Sequence, residues 1–347
     1  ELLKKYSEEE INLTGIYYKN DKSGKFTDRF NSRVIFPVNN VIGDTIAFGG
    51  RIIRESKLAK YINSPETEFY KKGNMIFNLD KAKDSRSETD EVLIKVEAAG
   101  VNFPDALMVQ GKYQIVMDPP FTPGTEVCGI VEGIGEDVEI KIGTKVIALP
   151  PMGGFAEYVS VHKSLVIPVS EAVDSYAGAS LPINYGTCYY ALKRRANIQK
   201  GESLLVLGAA GGIGTASIQL AKVMGVKTIC AVGSDEKEEY VKSLGADQII
   251  RYDQVDLKET TKELTKGNGV DVVMDPVGGN VTEQALRATA WNGRLLVIGF
   301  TDGNIPKIPL NLTLVKGVSI VGVWWGRWTT TSPEETAEDF GELFSFI

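Results

Sequence analysis

The sequence contains few of the residues that build metal sites and disulfide frameworks. Its 347 residues include one histidine, His162, and three widely spaced cysteines, Cys128, Cys188 and Cys230. The cysteine spacing matches neither a disulfide framework nor a zinc-ligand cluster, and a catalytic zinc ion needs about three strong protein ligands. We therefore predict no metal site. We interpret His162, which lies in a strand-like run, as a surface or packing residue.

The sequence also lacks long apolar runs and an excess of positive charge. No run approaches the roughly 20 apolar residues that a membrane-spanning helix needs, and the first residues lack the pattern of a signal peptide. The net charge of −7 argues against a chain built as a whole to bind nucleic acid. We expect a cytoplasmic protein with no membrane partner, and the length predicts roughly two domains.

Residues 204–224 carry the strongest positive signal. Their sequence, LLVLGAAGGIGTASIQLAKVM, starts as a buried parallel strand and ends as a helix-period segment. Glycines between them let the backbone turn tightly and let a pyrophosphate approach, while the helix N-terminus offers unpaired N–H groups. This order predicts a dinucleotide site. The residues assigned to its turn are Gly208, Ala210, Gly211, Gly212, Ile213 and Gly214.

Strand patterns before this turn and strand–helix alternation after it predict the fold class. Short strands with glycine punctuation between residues 91 and 161 suggest a partly open β-barrel. After residue 204, apolar strands alternate with helix-period segments, which predicts a doubly wound parallel sheet. Strands are predicted at residues 227–232, 248–251, 270–275, 294–298 and 318–323, and helices at 237–244, 257–265, 281–290 and 333–347.

Residues 1–90 differ in character and read as a small α+β segment. The phrases DRFNSRVIFPV, IAFGGR, KYINSPET and YKKGNMIFNLDKAKD resemble the N-terminal part of the catalytic core of bacterial DnaG-type DNA primases. The resemblance implies that Arg33, Arg51 and Lys72 lie along a template strand. The acidic Glu-Gly-Tyr-Met-Asp phrase of those primases is absent, and metal-assisted nucleotidyl transfer needs clustered carboxylates. We predict no primase activity, and nucleic acid is a partner only if this segment functions.

A second resemblance covers residues 90–347. The phrases AAGVNFPDALMVQGKY, PGTEVCGIVEGIGEDV, AGASLPINYGTCYYAL, LGAAGGIGTASIQLAK and LGADQIIRY resemble the medium-chain dehydrogenase/reductase superfamily, in its zinc-independent, zeta-crystallin-like branch of quinone oxidoreductases. Zinc-dependent members bind the metal through a Cys and a His at positions that hold Asn102 and Thr125 here. The resemblance implies an α/β fold with a Rossmann sheet that binds NADPH and a GroES-like β-barrel. The implied reaction is hydride transfer from NADPH to a quinone or another electron-poor acceptor.

The same resemblance implies the reacting end of the site. Asn102 is expected near the nicotinamide, Tyr113 at the substrate mouth, and Thr187 on the nicotinamide side of the cofactor. Asp105 belongs to the same signature. It could equally be a structural carboxylate that forms hydrogen bonds to a loop. Tyr113 could also be a packing aromatic.

The residues after the second Rossmann strand favour NADPH over NADH. Gly233 leaves room, Ser234 can donate a hydrogen bond, and Lys237 supplies positive charge for a 2′-phosphate. Tyr252, after the third strand, is assigned to the same site. Asp235 is the acidic residue that would suit NADH, and we interpret it as a helix N-cap.

Residues that follow the later strands should border the cleft. Gly299 and Phe300 are assigned to the cofactor, and the aromatic residues 324–328 suit either a flat acceptor or an oligomer interface. The strand at 318–323 is the candidate edge for a homodimer.

The predicted organisation is a primase-like segment at 1–90, a GroES-like domain at 91–190, a Rossmann domain at 191–335 and a truncated helix at 336–347. By comparison with the family, both ends of the reductase are expected to be incomplete, with a seam within residues 85–96, as in a chimera. Three alternatives stay open: a 2-enoyl reductase that uses NADPH, a primase fragment, and an inactive fusion.

Overall fold

The computed structural model describes residues 5–20, 23–40, 44–52, 59, 61–67, 70–71, 90–118 and 120–346. The chain divides into two compact units, Glu1–Thr89 and Asp90–Ile347. Lys72 and residues 85–89 of the predicted seam lie outside the described residues. The finer predicted domain boundaries, at residues 190 and 335, stay predictions.

The first unit is a small α+β segment, as predicted. Its elements are helix α1 (Glu8–Leu13), strands β1 (Tyr17–Lys19) and β2 (Phe26–Asp28), which pair antiparallel, and the antiparallel sheet β3 (Arg33–Asn39), β4 (Thr45–Ile52) and β5 (Tyr61–Asn63). The Arg33 guanidinium donates to the carbonyls of Gly50 and Ala59, and the Arg51 guanidinium lies 5.8 Å from the centre of the Tyr61 ring. Both predicted template contacts therefore also have neighbours inside their own unit.

The second unit begins with a five-stranded antiparallel sheet in the order β10-β8-β7-β6-β9. Its strands are β6 (Glu91–Ala99), β7 (Val127–Ile134), β8 (Lys145–Ala148), β9 (Tyr158–His162) and β10 (Val166–Pro168), with helix α2 (Phe103–Val109) between β6 and β7. Valines that alternate along these strands, such as Val92, Val127 and Val161, are buried. The short strands predicted between residues 91 and 161 are confirmed as β6 to β9, and β10 is a fifth strand that was not predicted.

A helical segment joins this sheet to the next. It consists of α3 (Ser175–Leu181), a π-helical turn (Pro182–Gly186), α4 (Thr187–Tyr189) and a second π-helical turn (Tyr190–Arg195). Proline has no backbone N–H to donate and disturbs the regular hydrogen-bond ladder, which accounts for a wider turn at Pro182. Such π turns often occur at functional sites, and this one carries Asn184.

A six-stranded parallel sheet follows, in the order β13-β12-β11-β14-β15-β16. Its strands are β11 (Ser203–Val206), β12 (Lys227–Val232), β13 (Gln248–Arg251), β14 (Val270–Asp275), β15 (Thr289–Val297) and β16 (Ser319–Gly322). Leu204, Leu205 and Val206 are fully buried, since helices cover both faces of a doubly wound sheet. The predicted parallel sheet is confirmed.

Seven helices of the described residues belong to this part of the unit. They are α5 (Gly212–Met224), α6 (Asp235–Ser243), α7 (Leu257–Leu264), α8 (Gly279–Ala288), α9 (Asn311–Lys316), α10 (Trp325–Thr331) and α11 (Pro333–Phe344). Helix α5 ends at Gly225, whose φ of 69° is the left-handed conformation that glycine adopts readily. Helices α9 and α10 were not predicted, because both are short and lack a helix-period apolar pattern.

Candidate functional site

The glycine turn between β11 and α5 has the geometry of a phosphate cradle. Gly208 has a φ of 58°, which favours glycine, and Gly211 is the N-cap of α5 in an extended conformation. A Cβ on Gly214 would lie 2.2 Å from the carbonyl oxygen of Ala209, so this glycine lets the helix pack against the turn. Ala210 and Ile213 are half-buried against the core, while Gly211 and Gly212 are exposed. The turn therefore presents bare backbone and a helix N-terminus, which fits a pyrophosphate.

The residues after β12 form the second part of this site. Gly233 lies under the Tyr252 ring, since a Cβ there would be 3.0 Å from the Tyr252 hydroxyl oxygen. The Ser234 Oγ accepts a hydrogen bond from the Lys237 backbone N–H at 3.3 Å, and the Lys237 side chain is exposed. The four predicted residues therefore lie close together: Gly233 and Ser234 follow β12, Lys237 lies in the first turn of α6, and Tyr252 follows β13.

The structure corrects the predicted helix cap. Ser234, not Asp235, is the N-cap of α6. Asp235 lies in the first turn and pairs with the Arg251 guanidinium, which also contacts Asp253 at 2.8 Å and Glu238 at 3.4 Å. The prediction failed because Ser and Asp are both good N-cap residues. The ion pair that occupies the Asp235 carboxylate involves Arg251, which is sixteen residues further along the chain.

The predicted reacting residues Asn102 and Asp105 lie together at the start of α2. The Asn102 backbone N–H donates to Asp105 Oδ2 at 2.8 Å, and the Gly124 N–H donates to Asp105 Oδ1 at 3.2 Å. Asp105 is 2% exposed, and its burial raises the pKa of that carboxyl against the opposing effect of these two backbone bonds. Asp105 therefore has the loop-bonding geometry of the structural alternative.

Glu126, directly before β7, is a buried acidic residue that was not predicted from the sequence. Its Oε1 accepts from the Asn102 side-chain amide at 2.6 Å, and its Oε2 accepts from the Ile183 backbone N–H at 2.8 Å. Burial raises the pKa of Glu126 to about 7, an effect that these two hydrogen bonds oppose and the nearby Asp105 reinforces. The only sequence signal was its position directly before the mostly apolar strand β7.

Asn184 links this cluster to the glycine turn. Its Nδ2 lies 3.5 Å from the Oδ1 of Asn102, and its Oδ1 lies 2.4 Å from the position of a Cβ on Gly212. Gly212 is the first residue of α5, so the side chain of Asn184 packs directly beside the helix N-terminus. The antiparallel sheet and the parallel sheet therefore meet at one polar cluster of Asn102, Glu126 and Asn184.

Four other residues assigned to the site are Tyr113, Thr187, Gly299 and Phe300. Tyr113 is half-buried, and burial together with Asp105 raises the pKa of its hydroxyl, which keeps the phenol protonated at neutral pH. Thr187 is half-buried at the start of α4. Phe300 and Gly299 follow β15, and the Gly299 N–H reaches the carbonyl of Asp275 at 3.4 Å.

The loop after β14 supports Phe300 through a buried carboxylate. Asp275 Oδ1 accepts from the N–H groups of Val277 and Gly278, both at 2.9 Å, and its Oδ2 accepts from the Thr282 hydroxyl at 2.6 Å. A Cβ on Gly278 would lie 2.9 Å from the Phe300 ring. Two cavities flank this loop, one of about 160 Å³ with Phe300 on its wall and one of about 280 Å³ with Tyr252 on its wall.

The aromatic residues at 324–328 divide between core and surface. Trp325 is 6% exposed and packs against Gly186, where a Cβ would lie 2.4 Å from its ring. Trp328 stacks on Tyr190 with the ring centres 5.1 Å apart. Trp324 is 51% exposed, so of these three tryptophans it has the most surface for a ligand or a partner.

Comparisons with known proteins agree with this geometry. Residues 88–171 match the family described as alcohol dehydrogenase GroES-like domain, and residues 212–344 match zinc-binding dehydrogenase. Quinone oxidoreductase-like protein 2 of Bos taurus is 43% identical over 241 residues, which cover 69% of each chain. The chain belongs to the quinone oxidoreductase-like medium-chain dehydrogenases/reductases. It is therefore an oxidoreductase of that superfamily.

Solved structures of quinone oxidoreductases superpose on most of this chain. The Escherichia coli enzyme complexed with NADPH is 30% identical, with a TM-score of 0.69 over 75% of this chain and 80% of that one. The Thermus thermophilus enzyme, described alone and with NADPH, is 33% identical, with a TM-score of 0.62 over 75% and 79%. Residues 2–83 match a separate family, the N-terminal domain of the DNA primase catalytic core.

The positions that hold zinc ligands in other members of this superfamily carry no strong ligands here. Asn102 bonds Glu126, and Thr125 is the residue before it. The described part of the chain has no group of three or more His, Cys, Asp or Glu placed to hold a metal ion. His162 is exposed at the end of β9, with its Nδ1 2.8 Å from the Ser164 hydroxyl. No helix among the described residues is long and apolar enough to cross a membrane.

Proposed function

We propose that this family member transfers a hydride from NADPH to a quinone or a similar electron-poor acceptor. The observation that carries the proposal is the shared polar cluster, in which Asn184 lies beside both Asn102 and the first residue of α5. A dinucleotide that places its pyrophosphate on the glycine turn has a neighbouring sheet at hand to orient its other end. The relatives solved with NADPH support the same cofactor for this chain.

NADPH, when bound, supplies the hydride from C4 of its nicotinamide. The residues of this chain bind and orient the reactants. The glycine turn would receive the pyrophosphate, Asn102 and Thr187 would border the nicotinamide, and the protonated Tyr113 hydroxyl would donate a hydrogen bond to an acceptor oxygen. Neither Asn102 nor Thr125 can bring the Lewis-acid help that zinc gives a carbonyl, so an acceptor that is already electron-poor suits the site.

The test compares two acceptor classes on the full chain. NADPH oxidation, followed by its absorbance, should depend on added benzoquinones or naphthoquinones and stay at background with 2-enoyl thioesters. The thioesters test the enoyl reductase alternative, because a solved enoyl reductase, CurK, superposes on this chain with a TM-score of 0.68 at 28% identity. Turnover of the thioesters alone would replace the quinone proposal with that one.

A single lysine should set the preference for NADPH. Lys237→Ala removes the exposed cation at the start of α6, and a charge-assisted hydrogen bond to the 2′-phosphate is worth about 1.5–3 kcal/mol. We expect the NADPH dissociation constant to rise roughly 10-fold or more, while that for NADH stays the same. Lys242→Ala, at the exposed far end of the same helix, is the control. Equal loss of both cofactors in Lys237→Ala would contradict the assignment.

We also propose that two copies pair through the edge strand β16. This strand pairs only with β15 in the described sheet. Its Ile320 is an exposed apolar residue, and the chain just before it has four more, namely Ile305, Leu310, Leu314 and Val315. An exposed apolar edge can pair with another strand.

We also propose a cytoplasmic location. The three cysteines are buried and form no disulfide bond, as is usual in a reducing compartment.

The edge can be tested with one charge. Ile320→Lys places an ammonium on β16, which is how natural sheets block edge pairing. We expect light scattering to give a dimer for the wild-type chain and a monomer for this variant. Val223→Lys, which changes an exposed apolar residue of α5, should stay dimeric. A monomeric wild-type chain would refute the pairing.

A further inference from the structure

A buried carboxylate lies between the candidate reacting loop and the cofactor turn. Glu126 is 1% exposed, and two donors from different elements converge on it, the Asn102 amide at 2.6 Å and the Ile183 N–H at 2.8 Å. Each donor takes a different oxygen of the same side chain. Only a carboxylate offers two acceptor oxygens in this arrangement, since glutamine would present an NH₂ group to one of the donors.

Packing alone does not account for this residue. A buried carboxylate is expensive to desolvate, and an apolar side chain of similar volume would fill the space more cheaply. The backbone at Gly100 also approaches Glu126 closely, because a Cβ on Gly100 would lie 2.1 Å from Glu126 Oε1. The charge and both oxygens of Glu126 therefore serve the Asn102 amide and the turn at Ile183.

The contacts of Glu126 lead in two steps to the cofactor turn. The Asn102 amide that donates to Glu126 has its Oδ1 3.5 Å from Asn184 Nδ2. Asn184 follows Ile183 in the chain and packs against Gly212 at the N-terminus of α5. Glu126 thus fixes both sides of the contact between Asn102 and Asn184, one through a side chain and the other through a backbone N–H.

We propose that Glu126 is a positioning residue for hydride transfer, which orients the Asn102 amide against the nicotinamide and holds the turn at Ile183 and Asn184 in register with the glycine turn. The inference rests on the proposed function. It assigns to Glu126 no contact with substrate or cofactor, because its side chain is fully enclosed.

Ionisation should tune this positioning near neutral pH. The pKa of Glu126 is raised to about 7, mainly by burial, and Asp105 on α2 is the charged group whose field adds to the shift. The ionised form accepts both hydrogen bonds most strongly. As the pH falls through this value, the protonated form holds Asn102 less firmly and the rate of hydride transfer should fall.

The main test is Glu126→Gln in the full chain, with quinone and NADPH. We expect kcat to fall roughly 10- to 100-fold, as for a small misplacement of a reacting group, while the KM for NADPH changes little. The ratio of wild-type kcat to variant kcat should rise with pH through about 7. Glu132→Gln, which changes an exposed glutamate of β7, the strand that follows Glu126, is the matched control and should leave kcat unchanged.

A second variant reaches Glu126 without changing its chemistry. Gly100→Ala would place a Cβ 2.1 Å from Oε1 and 2.6 Å from the carbonyl oxygen of Ala179. Where the variant stays folded by circular dichroism, it should lower kcat in the same way, whereas Gly133→Ala, whose Cβ would lie 3.5 Å from Leu93, should not. A binding readout complements the kinetics. Glu126→Gln should leave the affinity for 2′,5′-ADP unchanged in calorimetry, because this ligand lacks the nicotinamide. A weakened affinity would mean that the whole cofactor site is damaged, which counts against a positioning role.

The outcomes separate this inference from the proposed function. A wild-type chain that reduces quinones, together with a Glu126→Gln chain of equal kcat and unchanged pH profile, overturns the positioning role alone. A kcat ratio that does not vary with pH also counts against it, because a merely structural defect lowers activity at every pH. A wild-type chain with no quinone turnover overturns the proposed function and this inference with it.

Discussion

Gly211→Ala should lose NADPH affinity while the protein keeps its stability. Gly211 is the exposed N-cap of α5, with a φ of −86° that alanine also adopts, and its added Cβ would meet only the Gly208 carbonyl oxygen at 3.4 Å. The loss of a preferred cap residue costs about 1 kcal/mol or less. The new methyl group occupies the surface where a pyrophosphate approaches, so we expect at least a roughly tenfold rise in the NADPH dissociation constant by calorimetry.

Gly214→Ala, in the first turn of the same helix, is the contrasting control. Alanine normally gains about 1 kcal/mol over glycine inside a helix. Here its Cβ would lie 2.2 Å from a backbone oxygen of Ala209, which cannot rotate away, and overpacking of this kind costs about 1–3 kcal/mol. Gly214→Ala should therefore lower the midpoint of thermal unfolding as well as the affinity. Unchanged NADPH binding in Gly211→Ala would contradict the assignment of the pyrophosphate to this turn.

Glu126 should make the folded state lose stability as the pH rises. Its pKa is raised from 4.5 to about 7 by burial, so the folded protein binds this proton more tightly than the unfolded chain does. The contribution is fully present below about pH 4.5 and is lost as the pH rises through about 7. A shift of this size corresponds to roughly 3 kcal/mol of unfolding free energy.

The difference between two proteins isolates this effect from other titrating groups. Unfolding free energies of the wild-type chain and of Glu126→Gln, from urea titrations between about pH 5 and pH 8, should diverge as the pH rises. The wild-type chain should lose stability relative to the variant, whose amide does not ionise. A difference that is constant across this range would mean that Glu126 titrates at its ordinary pKa.

The parallel sheet could be predicted because its strands are short apolar runs that alternate with helix-period segments. Strands β12, β13 and β14 begin and end at the predicted residues, since polar or glycine residues lie at or next to their ends. Strand β15 runs from Thr289, five residues before its predicted start, because a register shift in its pairing with β14 carries the strand past a polar, turn-like sequence.

The polar cluster could be predicted only in part. Asn102 was found because the family signature surrounds it, and the glycine turn because its spacing is local. Glu126 and Arg251 were missed since their roles depend on partners far along the chain, Ile183 for the first and Asp235 for the second. Burial gives Glu126 a pKa of about 7, and that burial depends on contacts with residues that are remote in the sequence.

Single-turnover reduction of a quinone with NADPH deuterated at C4 shows whether this site orients the nicotinamide. The two stereoisomers of the deuterated cofactor are mixed in turn with the full chain and excess quinone, and nicotinamide oxidation is followed by stopped flow. If this site orients the nicotinamide for hydride transfer, one stereoisomer will react several-fold more slowly than unlabelled NADPH and the other will not. Equal rates for all three cofactors, or no oxidation that depends on quinone, would contradict it.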